Sequence, residues 1–272
     1  MAKYNLTFDE AKKERLIKEG RGKGEGANYK PWLTIQDFPS LGRATRVFGV
    51  KTQRMHHFFT DLEIRYFYLL EWNDSVIDIR EQYPLLDIDK VLDNKTDLNF
   101  DIFKNKKTDT QYVLSTTFLI TTKGEGNKRN YYARSIKTSS ELSKKVTLER
   151  FEIERRYWES KGIDWGIVTD KEISVVKAKN IEWIYPSLNS YKDMGLTQDD
   201  ILYMSNNFID GLQDNKVTIR DFAMVFDKNY NLEAGTGLFI FKYLIALKII
   251  EVDMDKPINI NETLDIVRVI KF

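Results

Sequence analysis

The chain holds no cysteine and only two histidines, adjacent at His56 and His57. Disulfides, thiolate zinc sites and cysteine nucleophiles are excluded. A multi-histidine metal centre or a Ser-His-Asp triad has too few imidazoles to form. Any catalysis must therefore run on carboxylates, lysine or a hard metal ion. Glu63, Lys137 and Glu154 suit that chemistry. A carboxylate can hold Mg²⁺, which polarises a phosphodiester and its bound water, while a lysine orients the water and stabilises developing negative charge. Each residue also has a structural explanation. Glu63 is the N3 partner in Thr60-Asp-Leu-Glu63, which has the form of a capping box. Lys137 closes a strand, and Glu154 belongs to the charged helix face Glu152-Ile-Glu-Arg-Arg156. Spacing alone favours these structural explanations. His56 and His57 lack a third ligand for zinc and read as packing residues or contacts to a DNA backbone.

Hydrophobic periodicity supplies the elements that must position these residues. Helical spacing predicts a short helix over 7–19, one over 58–72 and a long one over 145–161. Alternation predicts strands over 75–82, 111–122, 130–137 and 165–169. On the third of these strands Ser135 and Lys137 are two apart and are expected to share a face. The order α-β-β-β-α-β is that of a metal-dependent nuclease of the PD-(D/E)XK kind, with an acid at the first helix and a lysine at a strand end. Between the first two helices, Gly20-Arg-Gly-Lys-Gly-Glu-Gly26 fits no phosphate-binding fingerprint and reads as a flexible connector. After Pro186 the pattern changes to three helices closed by two strands, over 248–254 and 263–270, which is a winged-helix pattern. A domain boundary is expected between 171 and 196.

The 272 residues suggest one or two domains, and 42% hydrophobic with 13% aromatic content supports a sizeable core. No run of 18 or more apolar residues occurs and the first residues are charged, so neither a membrane span nor a secretory signal is expected. A cytoplasmic protein, associated with the nucleoid when acting, fits these features. The net charge of +1 hides an asymmetry: residues 197–272 carry 8 basic and 12 acidic side chains, a balance of −4. Within 42–57, Arg43, Arg46, Lys51 and Arg54 occur with no acid, which makes them candidate DNA contacts.

Several motifs together resemble the TnsA family, the endonuclease subunit of heteromeric bacterial transposases. They are Gly20–Gly26, Pro31-Trp-Leu-Thr34, His56-His57, Asp61-Leu-Glu63, Glu71-Trp72, Asp78-Ile-Arg-Glu-Gln82, Pro84-Leu-Leu86, Glu154-Arg-Arg-Tyr-Trp158, Thr169-Asp-Lys-Glu172 and Asn180-Ile-Glu-Trp183. The resemblance implies an α/β restriction-endonuclease-like domain of the PD-(D/E)XK type over 1–170 and a mainly α winged-helix domain over 171–272. It implies Mg²⁺-dependent cleavage (Mn²⁺ can substitute) at the 5′ ends of transposon DNA. The partners it implies are a TnsB-like transposase that cuts the 3′ ends and a TnsC-like ATPase.

Carried across residue by residue, the resemblance places catalytic roles on Glu63, Lys137 and Glu154, with Glu63 also a metal ligand. Two positions depart from it. Thr117 stands where the metal-binding aspartate belongs, and Ser135 replaces the glutamine two residues before the lysine. A neutral hydroxyl is a far poorer Mg²⁺ ligand than a carboxylate. Losing about 4 kcal/mol of metal assistance slows a reaction roughly a thousandfold. The expectation is a TnsA-like subunit with impaired cleavage, and its rival is an inactive architectural subunit that binds DNA and partners. The acidic C-terminal part is expected to dock a protein, the TnsC-like ATPase, rather than DNA.

Overall fold

A computed structural model of the chain describes residues 8–37, 45–212, 217–263 and 266–270. The chain divides into two units, Met1–Ile173 and Ser174–Phe272.

The first unit opens with helix α1 (Glu10–Lys18), capped by the Asp9 side chain on the Lys12 amide. A two-stranded antiparallel ribbon follows, β1 (Thr45–Gly49) and β2 (Arg54–Phe58). Then come α2 (Asp61–Trp72), β3 (Val76–Pro84), the single turn α3 (Ile88–Val91), β4 (Ser115–Lys123), β5 (Arg129–Ile136), α4 (Lys145–Ser160) and β6 (Asp164–Val168). Apart from α3, the run from α2 to β6 has the predicted order. One mixed sheet results, in the order β3-β4-β5-β6, with the first two pairings antiparallel and the last parallel. The parallel pair needs a crossover, and α4 supplies it.

The sheet positions the candidate residues by packing on both faces. Adjacent strand residues point to opposite sides. Phe118 of β4 therefore joins Phe58 and Tyr66 in an aromatic cluster beside α2. Its neighbour Leu119 packs instead with Ala133, Ile153, Tyr157 and Trp158, where α4 lies.

Several expectations shift. Phe58 ends β2 instead of starting a helix, because Thr60 caps α2 by accepting from the Glu63 amide at 3.2 Å. Residues 111–114 lie outside β4, and among them Gln111 makes an isolated bridge to Lys104. The β1–β2 ribbon, centred on a basic stretch without clear alternation, was not anticipated. Nor is the glycine-rich segment a loose connector. Its Gly26 amide donates to Asp78 Oδ1 at 3.2 Å, and Glu25 accepts from Arg129 at 2.7 Å. Gly22, at φ +78°, lies so close to Pro84 that an added Cβ would fall 2.2 Å from the proline Cγ. Close approach to the end of β3, at positive φ, explains that glycine.

The second unit begins with α5 (Val175–Ile184) and the short α6 (Ser187–Ser190), both absent from the sequence-based reading. Asn180 of α5 is buried: its amide donates to the carbonyls of Met254 and Lys256 and accepts from the Ile258 amide. Helices α7 (Gln198–Leu212), α8 (Ile219–Asn229) and α9 (Thr236–Ala246) follow, then the antiparallel pair β7 (Ile250–Val252) and β8 (Ile266–Val269). The predicted caps form, Thr197 with Asp200 and Thr218 with Asp221. On α7 the positions Ile201, Met204, Phe208 and Leu212 are buried, as their helical spacing requires. Among the described residues, no helix is long and apolar enough to cross a membrane.

The start of α9 is held by a residue of α8. Buried Asp227 accepts from the amides of Gly235 at 2.8 Å and Gly237 at 2.6 Å. A carboxylate at a helix N-terminus satisfies donors that lack intrahelical partners and interacts favourably with the helix dipole. Asp227→Ala removes both bonds and should lower stability by about 2 kcal/mol, read as a lower urea midpoint.

Candidate active site

Glu63 lies in the first turn of α2, 8% exposed. Its Oε2 accepts from the Phe59 amide at 2.9 Å. Together with the Thr60 hydroxyl on the Glu63 amide, this is the reciprocal capping arrangement shifted one residue outward. Burial pushes the Glu63 carboxyl up to about 7, against the opposing pull of the Phe59 amide, Lys137, the Thr60 amide and Arg150. The side chain is thus a cap and a near-neutral acid at once. Lys137 and Arg150 are close enough to act on it electrostatically.

Thr117 and Ser135 are already committed to other partners. Thr117 Oγ1 accepts from the Ile136 amide at 3.1 Å, taking a backbone donor of the neighbouring strand. The Ser135 hydroxyl donates to Glu154 Oε2. Glu154, 1% exposed, also accepts from Thr116 at 2.9 Å and from Arg150 Nε at 2.9 Å. Trp158 donates to the Thr116 hydroxyl at 2.7 Å, and Trp165 to the Ser135 hydroxyl at 3.2 Å. These partners make Glu154 the centre of a closed polar network between α4, β4 and β5. A buried carboxylate with a guanidinium and two hydroxyls is satisfied where it stands.

The predicted site residues divide between two sets of partners, and Arg150 reaches both. Ser135 and Lys137 differ in their partners: the Ser135 hydroxyl is bound to Glu154, while Lys137, just past the end of β5, acts on Glu63. Lys137 Nζ lies 3.4 Å from Glu141 Oε1, a half-exposed pair. Arg150 is the residue that sequence reasoning missed: it bonds Glu154, donates to the Ser115 carbonyl and acts on Glu63. Its i,i+4 spacing to Glu154 was the available signal. Among the described residues, no three His, Cys, Asp or Glu side chains come together as a group that could hold a metal.

The basic stretch also divides. Arg43 lies outside the described residues, Arg46 is exposed on β1, and Lys51 is partly exposed in the β1–β2 turn. Arg54 is withdrawn from the surface, contrary to the role expected of it. Its guanidinium binds both oxygens of fully buried Glu81, with Nη1–Oε1 at 2.9 Å, and caps the Ile79 carbonyl at 2.8 Å. A buried charge requires a buried counter-charge, and Glu81 consumes this one. His56, also buried, donates from Nδ1 to Glu81 Oε2 at 2.8 Å, and its Nε2 lies 2.7 Å from the Thr52 hydroxyl. Burial opposes ionisation of Glu81, but the His56 ring and the Arg54 guanidinium overcome it and hold the carboxyl well below the usual range. Asp109, the acid nearest Thr117 on the N-terminal side, is exposed in the turn between Lys104 and Gln111.

The mixed α/β unit and the helical unit each match a family model, described as "TnsA-like endonuclease N terminal" over residues 73–170 and "TnsA endonuclease C terminal" over 172–254. The chain belongs to the TnsA family. It is 37% identical over 267 residues to the Transposon Tn7 transposition protein TnsA of Escherichia coli, covering 98% of this chain and 94% of that protein.

Two measurements check these assignments. A carboxyl raised from 4.5 to about 7 binds a proton in the folded state that the unfolded chain has released, so stability falls as pH rises through that window. Relative to Glu63→Gln, the unmodified chain should lose about 3 kcal/mol between pH 4.5 and 8 in urea titrations. Glu154→Ala strands Arg150 and two hydroxyls and should lower stability by about 3 kcal/mol at every pH between 6 and 8.

Proposed function

We propose that the chain is a TnsA-type subunit acting on transposon-end DNA during transposition, and that its own strand-cleaving step is impaired. In this reading the first unit is restriction-endonuclease-like and the second a winged helix. A TnsB-like transposase and a TnsC-like ATPase are its partners, and the acidic second unit docks the ATPase.

The observation that carries the impairment is the commitment of Thr117 and Glu154. Lys137 acts electrostatically on Glu63, which supports reading the two as a phosphodiester-cleaving pair. The residue that should complete a metal site is a neutral hydroxyl bonded to the Ile136 amide, and Glu154 is bound to Arg150, Thr116 and Ser135. Mg²⁺ sites usually rest on one or two carboxylates together with substrate oxygens, and only Glu63 of this set is placed to contribute. The donor set is a poor fit to Mg²⁺. What remains for the chain's own groups is to hold DNA and partners, with Lys137 offering a charge to a phosphate. The same observation favours the architectural reading, in which cleavage has been given up altogether.

A carboxylate at position 117 could accept from the Ile136 amide with one oxygen and keep the other for a cation. Thr117→Asp therefore separates the two readings. With a supercoiled plasmid carrying the cognate ends, the TnsB-like partner and Mg²⁺, the unmodified chain should leave donor DNA nicked on the partner's strands. Thr117→Asp should yield double-strand breaks and melt at a higher temperature with Mg²⁺ than without it. If Thr117→Asp gains neither property, the architectural reading stands. Efficient double-strand excision by the unmodified chain, abolished by Glu63→Ala, would refute the impairment.

A further inference from the structure

Helix α4 carries several arginine–glutamate pairs, and one of them is unlike the rest. Arg155 binds Glu152 and Glu159, and Arg156 binds Glu152, all with side chains in contact with solvent. Such pairs stabilise a helix only slightly. Arg150 stands in the same i,i+4 relation to Glu154, but Glu154 is buried, and the guanidinium reaches inward to meet it through Nε at 2.9 Å. Its Nη2 donates across to the Ser115 carbonyl at the start of β4. Together with Lys137, the same cation acts on the buried Glu63 carboxyl. One guanidinium thus serves two buried acids and a main-chain carbonyl, from two helices and a strand.

The atoms that hold this guanidinium are of the kind that hold a hard cation. Carboxylate and backbone carbonyl oxygens are the usual ligands of Mg²⁺, Ca²⁺ and Mn²⁺. The hydroxyls of Ser135 and Thr116 add further oxygens around Glu154. Here, however, the positive charge is covalently attached to the chain. An arginine stays protonated at every pH a folded protein meets, and its delocalised cation sheds water more readily than Mg²⁺ does. A buried carboxylate needs a counter-charge, and Glu154 has one without a dissolved ion. Two buried acids, Glu63 and Glu154, can therefore share one interior although, among the described residues, no three acids gather to hold a metal.

We propose that Arg150 is a built-in cation that replaces a divalent metal: its guanidinium fills the place beside Glu154 and the Ser115 carbonyl and keeps metal ions out of it. The inference rests on the reading of this unit as one whose cleavage is impaired, and it adds a second cause of that impairment beside Thr117. A neutral side chain at 150 leaves Glu154 Oε1 and the Ser115 carbonyl without a counter-charge. A divalent cation then becomes the group that restores the balance. Lysine at 150 keeps the charge, and with it the exclusion of metal.

The test needs neither DNA nor partners. The full chain and its variants are melted with and without Mn²⁺, and bound Mn²⁺ is counted from the loss of the free-ion electron paramagnetic resonance signal. Arg150→Gln should melt below the unmodified chain in metal-free buffer and bind one Mn²⁺ more than it does. Its melting temperature should rise by about 4 °C at a Mn²⁺ concentration ten times the dissociation constant. The unmodified chain and Arg150→Lys should gain nothing. Arg150→Gln combined with Glu154→Gln should lose the Mn²⁺ response, which assigns the ion to Glu154 and not to a surface acid. Arg150→Met, which keeps the apolar stem without the charge, carries the same comparison where Arg150→Gln does not fold. A folded neutral variant that binds no more Mn²⁺ than the unmodified chain would overturn the inference and leave the impaired-cleavage reading, judged on plasmid DNA, in place. A Mn²⁺ ion held by the unmodified chain and lost in Glu63→Gln would bring down both, since the site would then keep its metal with Arg150 present.

Discussion

The arrangement of the first unit depends on one carboxylate with no access to solvent. Glu81 sits in the middle of β3, and an unpaired charge there would cost several kcal/mol. Its two oxygens are fully engaged by β2, through the Arg54 guanidinium, the His56 ring and the His57 amide. That requirement fixes β2 against β3. Because β2 runs into the Thr60 cap within two residues, it also fixes where α2 begins and where Glu63 stands. The same grip turns the other side of the ribbon outward. An acid that performs no chemistry thus sets the position of one that could.

Glu63 and Glu154 show how differently two buried carboxylates can be treated in one fold. Glu154 has a guanidinium and two hydroxyls bonded to it. Glu63 has an amide for a direct partner, with its cations farther off, and burial keeps it close to neutral. The difference comes from the neighbours on β4 and β5. Serine at 135 gives Glu154 a hydroxyl to bind, and threonine at 117 gives the Ile136 amide an acceptor. The two hydroxyl residues consequently leave a well-satisfied interior.

In the second unit, side chains at helix ends do comparable work by smaller means. Asp227 binds the first amides of α9, while an added Cβ at Gly237 would come 2.8 Å from the Ala223 carbonyl, so α8 and α9 cross at a close approach that glycine permits. Asn180, which sequence comparison marks as part of a family motif, uses its whole amide on the loop after β7. A stretch that resembles the family is here a packing device. The same holds for Thr169-Asp-Lys-Glu172, where Glu172 accepts from the Thr169 amide and hydroxyl.

Much of this was legible in the residues alone. Caps at Thr60, Thr197 and Thr218, the alternation of β3 to β5 and the 3.6-residue period of α4 and α7 are local signals, governed by interactions within a few residues, and the structure follows them. Membership of the TnsA family was legible as well, since it rests on many short motifs together. The ribbon escaped because its strands are short and basic, and α5 because its apolar residues are spread around the helix instead of forming one stripe. The fates of the charged residues could not be read locally. Arg54 resembled its neighbour Arg46 until Glu81, 27 residues away, drew it inside. Glu154 is read from the sequence as an acid on a charged helix face, and Thr116 and Ser135, from β4 and β5, bind it in the interior. Whether a charge is spent inside a protein or offered to a ligand depends on which opposite charges and dipoles the chain brings to it over long separations, and tertiary structure alone decides that.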